Sequence, residues 1–238
     1  MNLTSRQEKI LTCIIKEYTR TAIPVGSLNI LKRYLFDISP ATMRAEMAFL
    51  ERHNFLYQPH VSAGRVPTDK GYRYFVNSLM KNHSLTQKEQ VLLQQELLKQ
   101  KIKNQRLART TAKLLAALSH NLAISGLVEE EEYFQSGIQE FLSQPDFSDI
   151  DEICRTVEVL DYLDQSIEKL LKKLEPGKVS TFIGRENPLS KSKDCSVIIS
   201  RYQLPRGQTG IIAIMGPKRM HYDKNISLIK YVTNLLED

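Results

Sequence analysis

A helix-rich α+β fold is what this sequence predicts: helices and one hairpin at the front, long helices in the middle, an antiparallel sheet with a covering helix at the back. Three observations lead there. Apolar residues recur at three- and four-residue spacing through most of residues 5–121. Two short runs, FLYQPHV and RVPT, flank a Ser-Ala-Gly turn. Near the end, KVSTFIG, CSVIISRYQL and TGIIAIMG are rich in Val and Ile and are separated by Gly and Pro.

The first helix is SRQEKILTCIIKEYTRT, with Ser5 as its N-cap and Ile10, Leu11, Ile14, Ile15 and Tyr18 on its apolar side. AIPVGS ends it, and Ser27 caps a second short helix, LNILKRYLF. SPATMRAEMAFLERHN opens with Ser39 at the N-cap and Pro40 at the first helical position, where a missing N–H costs nothing. Met43, Met47 and Leu50 form its inward stripe. Ala41, Arg44, Ala45, Ala48 and Arg52 form the opposite one. Small residues around an arginine permit close approach to another surface.

FLYQPHV and RVPT follow as two strands, confined to an edge by Pro59 and Pro67. Thr68 caps the next helix, DKGYRYFVNSLM. Three helices, a hairpin and a further helix is the order of a winged helix-turn-helix. That order assigns HVSAGRVPTDKGYRYF to a wing and the helix behind it, rather than to a phosphate-binding loop.

Residues 85–121 contain neither Pro nor Gly, and Leu92, Leu93, Leu97, Leu98, Ile102, Leu107, Leu114, Leu115 and Leu118 support one long helix or two in succession. Their spacing is too irregular for a heptad seam. The basic run KQKIKNQRLARTTAK reads as a solvated face, and the helical stretch is carried to LLAALSHNLAISG. EEEE at 129–132 follows a break at Gly126 and marks a boundary or linker. YFQSGIQEFLSQPDF reads as helical until Pro145, and DIDEICRTVEVLDYLDQSIEKLLKKL as an amphipathic helix closing on Glu175, Pro176 and Gly177. The three Val- and Ile-rich runs make an antiparallel meander, covered by NISLIKYVTNLLED. Three segments result: a winged helix over 1–83, connecting and dimerisation helices over 84–128, and an α+β domain over 129–238.

Composition narrows the function. Of the 238 residues, 42% are hydrophobic and 25% charged, ordinary globular usage. MNLTSRQEK lacks a secretory signal, and no apolar run reaches the roughly 20 residues of a membrane helix, which points to the cytoplasm and away from membranes. Cys13, Cys154 and Cys195 are scattered, as reduced thiols packed like small hydrophobes would be. Residues 1–128 carry 19 Lys and Arg against 8 Asp and Glu, whereas 129–238 carry 14 against 19. A polyanion partner for the front half is the natural reading.

Catalytic chemistry finds little support. His53, His60, His83, His120 and His221 stand alone, without the close spacing of metal ligands. GRENPLSKSKD at 184–194 lacks the strand–loop–helix context of a phosphate loop. The expectation is no enzyme, no metal and no cofactor. DNA binding has parts that agree. The start of the third helix offers Ser39, Ala41, Thr42, Arg44 and Ala45 to a major groove, with Arg44 suited to a guanine and alanine to a thymine methyl. Ser62 and Arg65 are expected at the wing tip, and Lys70 and Arg73 on one face of the next helix, against phosphates. Tyr72, Tyr74 and Phe75 are packing residues. Two rivals remain open on residues alone: a winged-helix regulator with a ligand-responsive back domain, and a winged-helix module that binds protein.

SPATMRAEMAFLERHNFLYQPHVSAGRVPTDKGYRYFV resembles the HrcA heat-inducible transcription repressors, as do FLSQPDFSD, FIGRENPLSKSKDCSVI and GIIAIMGPKRMHY further on. The resemblance covers residues 1–120 and 133–238. It implies a homodimeric repressor that binds an inverted repeat in double-stranded DNA near chaperone operons. It also implies modulation by the chaperonin GroEL, with repression relieved when misfolded proteins occupy it, and a GAF-like domain carrying an inserted dimerisation region. There are two departures. Ala45 stands where the family usually has asparagine, which removes an adenine-type contact. Between LLAALSHNLAISG and EYFQSG the chain lacks roughly a hundred family residues. A reduced, three-stranded GAF-like sheet is therefore expected, with a dimer interface built from the long helices.

Overall fold

A computed structural model of the chain describes residues 3–99, 104–147, 154, 167, 171, 174, 175, 177–187, 194–204 and 207–237. They form two compact units, Met1–Lys81 and Asn82–Asp238.

In the first unit, α1 (Ser5–Thr21), α2 (Ser27–Tyr34) and α3 (Pro40–Arg52) enclose a core of Ile10, Leu11, Ile14, Ile30, Met43 and Leu50, all fully buried. Thr4, not Ser5, caps α1: its hydroxyl accepts from the Gln7 N–H, and Gln7 Oε1 accepts from the Thr4 N–H in return. Glu8, which a Ser5 cap would need, is engaged by the Tyr74 hydroxyl at 2.7 Å. Gly26, not Ser27, is the N-cap of α2, because Val25 just before it is pinned as a β-bridge to Arg65. α3 starts as predicted, with Pro40 in its first turn and the Ser39 hydroxyl accepting from the Thr42 N–H.

The hairpin is shorter than its sequence predicts. β1 (Leu56–Tyr57) pairs antiparallel with β2 (Val66–Pro67), and FLYQPHV leaves the strand at Gln58. Pro59 has no N–H for a ladder, and Gln58 turns its amide into the loop. Thr68 caps α4 (Asp69–Tyr74), which continues as a π-helical turn over Phe75–Leu79. A Cβ on Gly71 would stand 2.3 Å from the Phe55 carbonyl oxygen, so glycine is what lets α4 approach β1. Tyr72 and Phe75 are buried, as packing residues should be.

The second unit contains the middle helices as well as the sheet. The apolar stretch forms two helices, α5 (Gln87–Leu98) and α6 (Asn104–Ser119), and the exposed Arg106, Arg109 and Lys113 agree with a solvated basic face. Helix does not run into LAISG. His120 adopts a left-handed conformation, and the chain enters β3 (Leu122–Leu127), a strand buried along its whole length. EEEE is no boundary but spans the turn into β4 (Glu132–Ser136) and that strand's first residue. The segment expected as helix up to Pro145 is thus a strand, then the short α7 (Ile138–Leu142) and a 3₁₀ turn, Pro145–Phe147.

β5 (Ser180–Ile183), β6 (Cys195–Gln203) and β7 (Thr209–Pro217) form the predicted meander, but the sheet has five strands, not three. Its order is β4-β3-β7-β6-β5, antiparallel throughout, with β3 closing onto β7 from Leu122↔Met215 to Leu127↔Gly210. One face buries Leu122, Ile124, Val197, Ile199, Ala213 and Met215 against Phe141, Phe147, Ile167 and Leu174. The other faces α6, along β3 and β4, and α8 (Tyr222–Glu237), along β6. Ser196 on that face shares a 2.7 Å hydrogen bond with the Tyr222 hydroxyl. Of the helix predicted over DIDEICRTVEVLDYLDQSIEKLLKKL, only Cys154, Ile167, Leu171 and Leu174 are among the described residues. Cys13 and Cys195 are buried as expected, but Cys154 is exposed. Among the described residues no helix is long and apolar enough to cross a membrane.

Candidate nucleic-acid interface

The start of α3 is a rigid, open surface. Ser39 accepts from the Thr42 N–H at 3.1 Å and its hydroxyl lies 2.9 Å from the Thr42 hydroxyl, so the two side chains hold the first turn together. Met43, Met47 and Leu50 anchor the opposite side in the core, and so Ala41, Arg44 and Ala45 face solvent. Glu46 at the flank is drawn back to α1 by Gln7 at 3.0 Å and Arg6 at 3.3 Å.

Within the first unit, charge pairing singles out two arginines. Arg6, Arg20, Arg33 and Arg65 are each tied to a carboxylate. Among the described residues Arg44 and Arg52 have no such partner and no hydrogen bond, although both are exposed. Arg44 is thus a free guanidinium flanked by methyl groups. It can approach a flat edge and donate two parallel N–H bonds.

The other predicted residues separate into two groups. Ser62 is exposed in the hairpin turn. Arg65 is not at the tip. Its backbone pairs with Val25 through two 2.9 Å bonds, and its Nε lies 2.8 Å from Glu51 Oε2. The reason is visible in the chain's path: Val25 forms an isolated antiparallel bridge beside the hairpin, and Arg65 is its partner. Lys70 donates to the His53 carbonyl at 2.9 Å and sits 4.5 Å over the Phe55 ring, at the C-terminal end of α3. Arg73 lies on α4 one turn further, with Nη1 3.4 Å from Asn77 Oδ1. The structure therefore brings Ser39, Ala41, Thr42, Arg44 and Ala45 together, and gives Arg65 and Lys70 the work of fastening the hairpin and α4 to α3.

Sequence reading missed three participants: Val25, Glu51 and Gln58. Glu51 follows no local rule, since its partner lies fourteen positions away. Val25 follows no local rule either, since its partner Arg65 is forty positions further on.

The second unit has a polar cluster of its own. Arg219 binds Asp146 through Nε and Nη2, both at 2.7 Å, and reaches Gln144 Oε1 at 3.3 Å, while Gln144 Nε2 lies 3.3 Å from Asn121 Oδ1. FLSQPDFSD and GIIAIMGPKRMHY, far apart in the chain, meet here. Among the described residues no group of three or more His, Cys, Asp or Glu could hold a metal ion.

Residues 69–226 match the family model described as the HrcA protein C-terminal domain. The chain belongs to the HrcA family. Heat-inducible transcription repressors HrcA from Natranaerobius thermophilus and Halalkalibacterium halodurans are 28% and 29% identical to it. Each match takes in 99% of this chain, and 96% and 98% of the respective relative. Those matches extend over 337 and 339 residues, so HrcA relatives carry internal residues that this 238-residue chain lacks. The relatives are transcription repressors, a non-enzymatic role, and this HrcA chain is a transcription repressor of heat-shock genes. A crystal structure of a hypothetical protein at 2.2 Å resolution has the same fold, with a TM-score of 0.77 at 19% identity over 99% of this chain and 98% of that one.

Proposed function

We propose that the chain represses heat-shock genes by binding an inverted-repeat operator as a homodimer, through a winged helix-turn-helix formed by its first unit. The observation that carries this reading is Arg44: an unpaired, exposed guanidinium between Ala41 and Ala45 on a capped helix held rigidly from behind. α3 is the recognition helix. Arg44 pairs with a guanine, the alanines lie against thymine methyl groups, and Ser39 and Thr42 approach the backbone at the helix start. Ser62 on the wing, with Lys70, Arg73 and the free N–H groups of Arg65, faces phosphates. Ala45 offers no bidentate contact to adenine, so the operator differs there from that of relatives with asparagine.

The second unit acts in the cytoplasm as a GAF-like dimerisation and response domain, and GroEL is the modulator that the HrcA resemblance supports. The DNA reading is tested by enriching a duplex from random-sequence DNA with the wild-type chain, then measuring anisotropy against it and a copy with one half-site scrambled. Wild type prefers the intact duplex, and Arg44→Ala weakens it by roughly 5- to 150-fold per contact. Equal affinity for intact and scrambled duplexes would overturn the proposal.

A further inference from the structure

The turn at the end of the wing is organised by one side chain. Gln58 Nε2 donates to the carbonyl oxygens of Val61 and Ala63, both at 2.8 Å. Both partners only accept, so it must be the amide nitrogen that faces them. The Ala63 N–H donates to the His60 carbonyl at 2.8 Å across the same turn. Its far end is held as firmly. A Cβ on Gly64 would lie 2.4 Å from the Val25 carbonyl carbon, Arg65 and Val25 exchange two backbone bonds, and the Arg65 guanidinium grips Glu51 on α3. Residues 58–65 thus form a turn shaped by polar clamps and keyed to the recognition helix.

What this clamp displays is Val61. At 97% exposure it is the most exposed large hydrophobic among the described residues, with the exposed His60 and Ser62 on either side. A single exposed apolar residue is ordinary. A β-branched one at the apex of a turn ordered this thoroughly is a stiff, pre-formed wedge that adds nothing to the core.

Resting on the DNA-binding reading above, we propose that Val61 enters the minor groove of duplex DNA beside the groove that receives Arg44, and that Gln58 is the positioning residue that presets it. Apolar side chains enter minor grooves in this manner, between base steps or against the sugar walls. A turn ordered before binding avoids the entropy cost of ordering on contact. The lack of charge at the apex, with Arg65 withdrawn to the wing's base, favours a groove floor over the phosphate rail.

The test uses the full-length chain and the enriched duplex, with wild type, Val61→Ser, Gln58→Glu and Arg44→Ala. Gln58→Glu keeps the side chain's size and removes both donors. Val61→Ser and Gln58→Glu should each weaken binding roughly tenfold, the scale of one apolar side chain left unburied. Both should lose hydroxyl-radical protection of the sugars under the wing, yet keep protection of guanine N7 under α3. The salt slope of Val61→Ser, which changes no charge, stays that of wild type, and this variant melts like wild type because Val61 packs against nothing. Wild-type affinity and footprint for Val61→Ser, with binding lost in Arg44→Ala, would sink the wing inference and leave the DNA reading standing. An unchanged footprint for Gln58→Glu alone removes its positioning role. If wild type enriches no duplex, the reading falls and the inference falls with it.

Discussion

Arg44 owes its availability to what surrounding carboxylates are doing elsewhere. Glu46 is held by Gln7 and Arg6, and Glu51 by Arg65, so the acidic groups of α3 are turned away from its exposed face. The partner-free guanidinium is therefore a property of the whole first unit, not of one residue type. At this scale the candidate site was legible where the rule is local: Ser39, Pro40 and the Met43, Met47, Leu50 stripe follow from capping and helical spacing. Arg65 was not, because its position depends on Val25, forty residues earlier in the chain. Gly64 gives a test of that contact. Gly64→Ala drives a methyl group into the Val25 backbone and should cost about 1–3 kcal/mol, read as a lower urea midpoint with unchanged slope.

Among the elements, β3 and β4 show why half of the sheet escaped prediction. LAISGL is apolar at nearly every position because both of its faces are covered, so it lacks the alternation that marks a half-buried strand. It also follows a helix with no proline or glycine between, and the break rests on His120 in a left-handed conformation. The meander was legible because Gly and Pro punctuate it. Helix α5 carries its own prediction. Thr86 and Glu89 form a capping box, and the Thr86 N–H, then its hydroxyl and Lys224, hold the Glu89 carboxyl below the usual carboxylate range. A depressed native value means the charge stabilises above the unfolded value and that this contribution is lost as pH falls through the native one. Glu89→Gln should therefore cost roughly 0.3–1 kcal/mol at neutral pH. The gap from wild type should close as the pH drops below about 4.3, followed by thermal melts across a pH series.

For the molecule as a whole, charge and fold divide at the same place. Residues 1–81 hold 12 Lys and Arg against 6 Asp and Glu, and residues 82–238 hold 21 of each, so the entire net charge of +6 sits on the first unit. A fragment of residues 1–81 should accordingly show the same dependence of log affinity on log salt, per bound chain, as the full protein. A steeper slope for the full protein would mean that the second unit touches phosphate too. The strand order has a consequence in time. Leu127 pairs with Gly210, so β3 leaves the ribosome long before the neighbour that completes the sheet exists. At roughly 5–20 residues per second, that interval is about 4–17 s. The first unit can finish folding during translation, while β3 waits with one flank open until β7 has been made. Each new copy of this heat-shock regulator thus passes through seconds in which it is itself an unfinished protein.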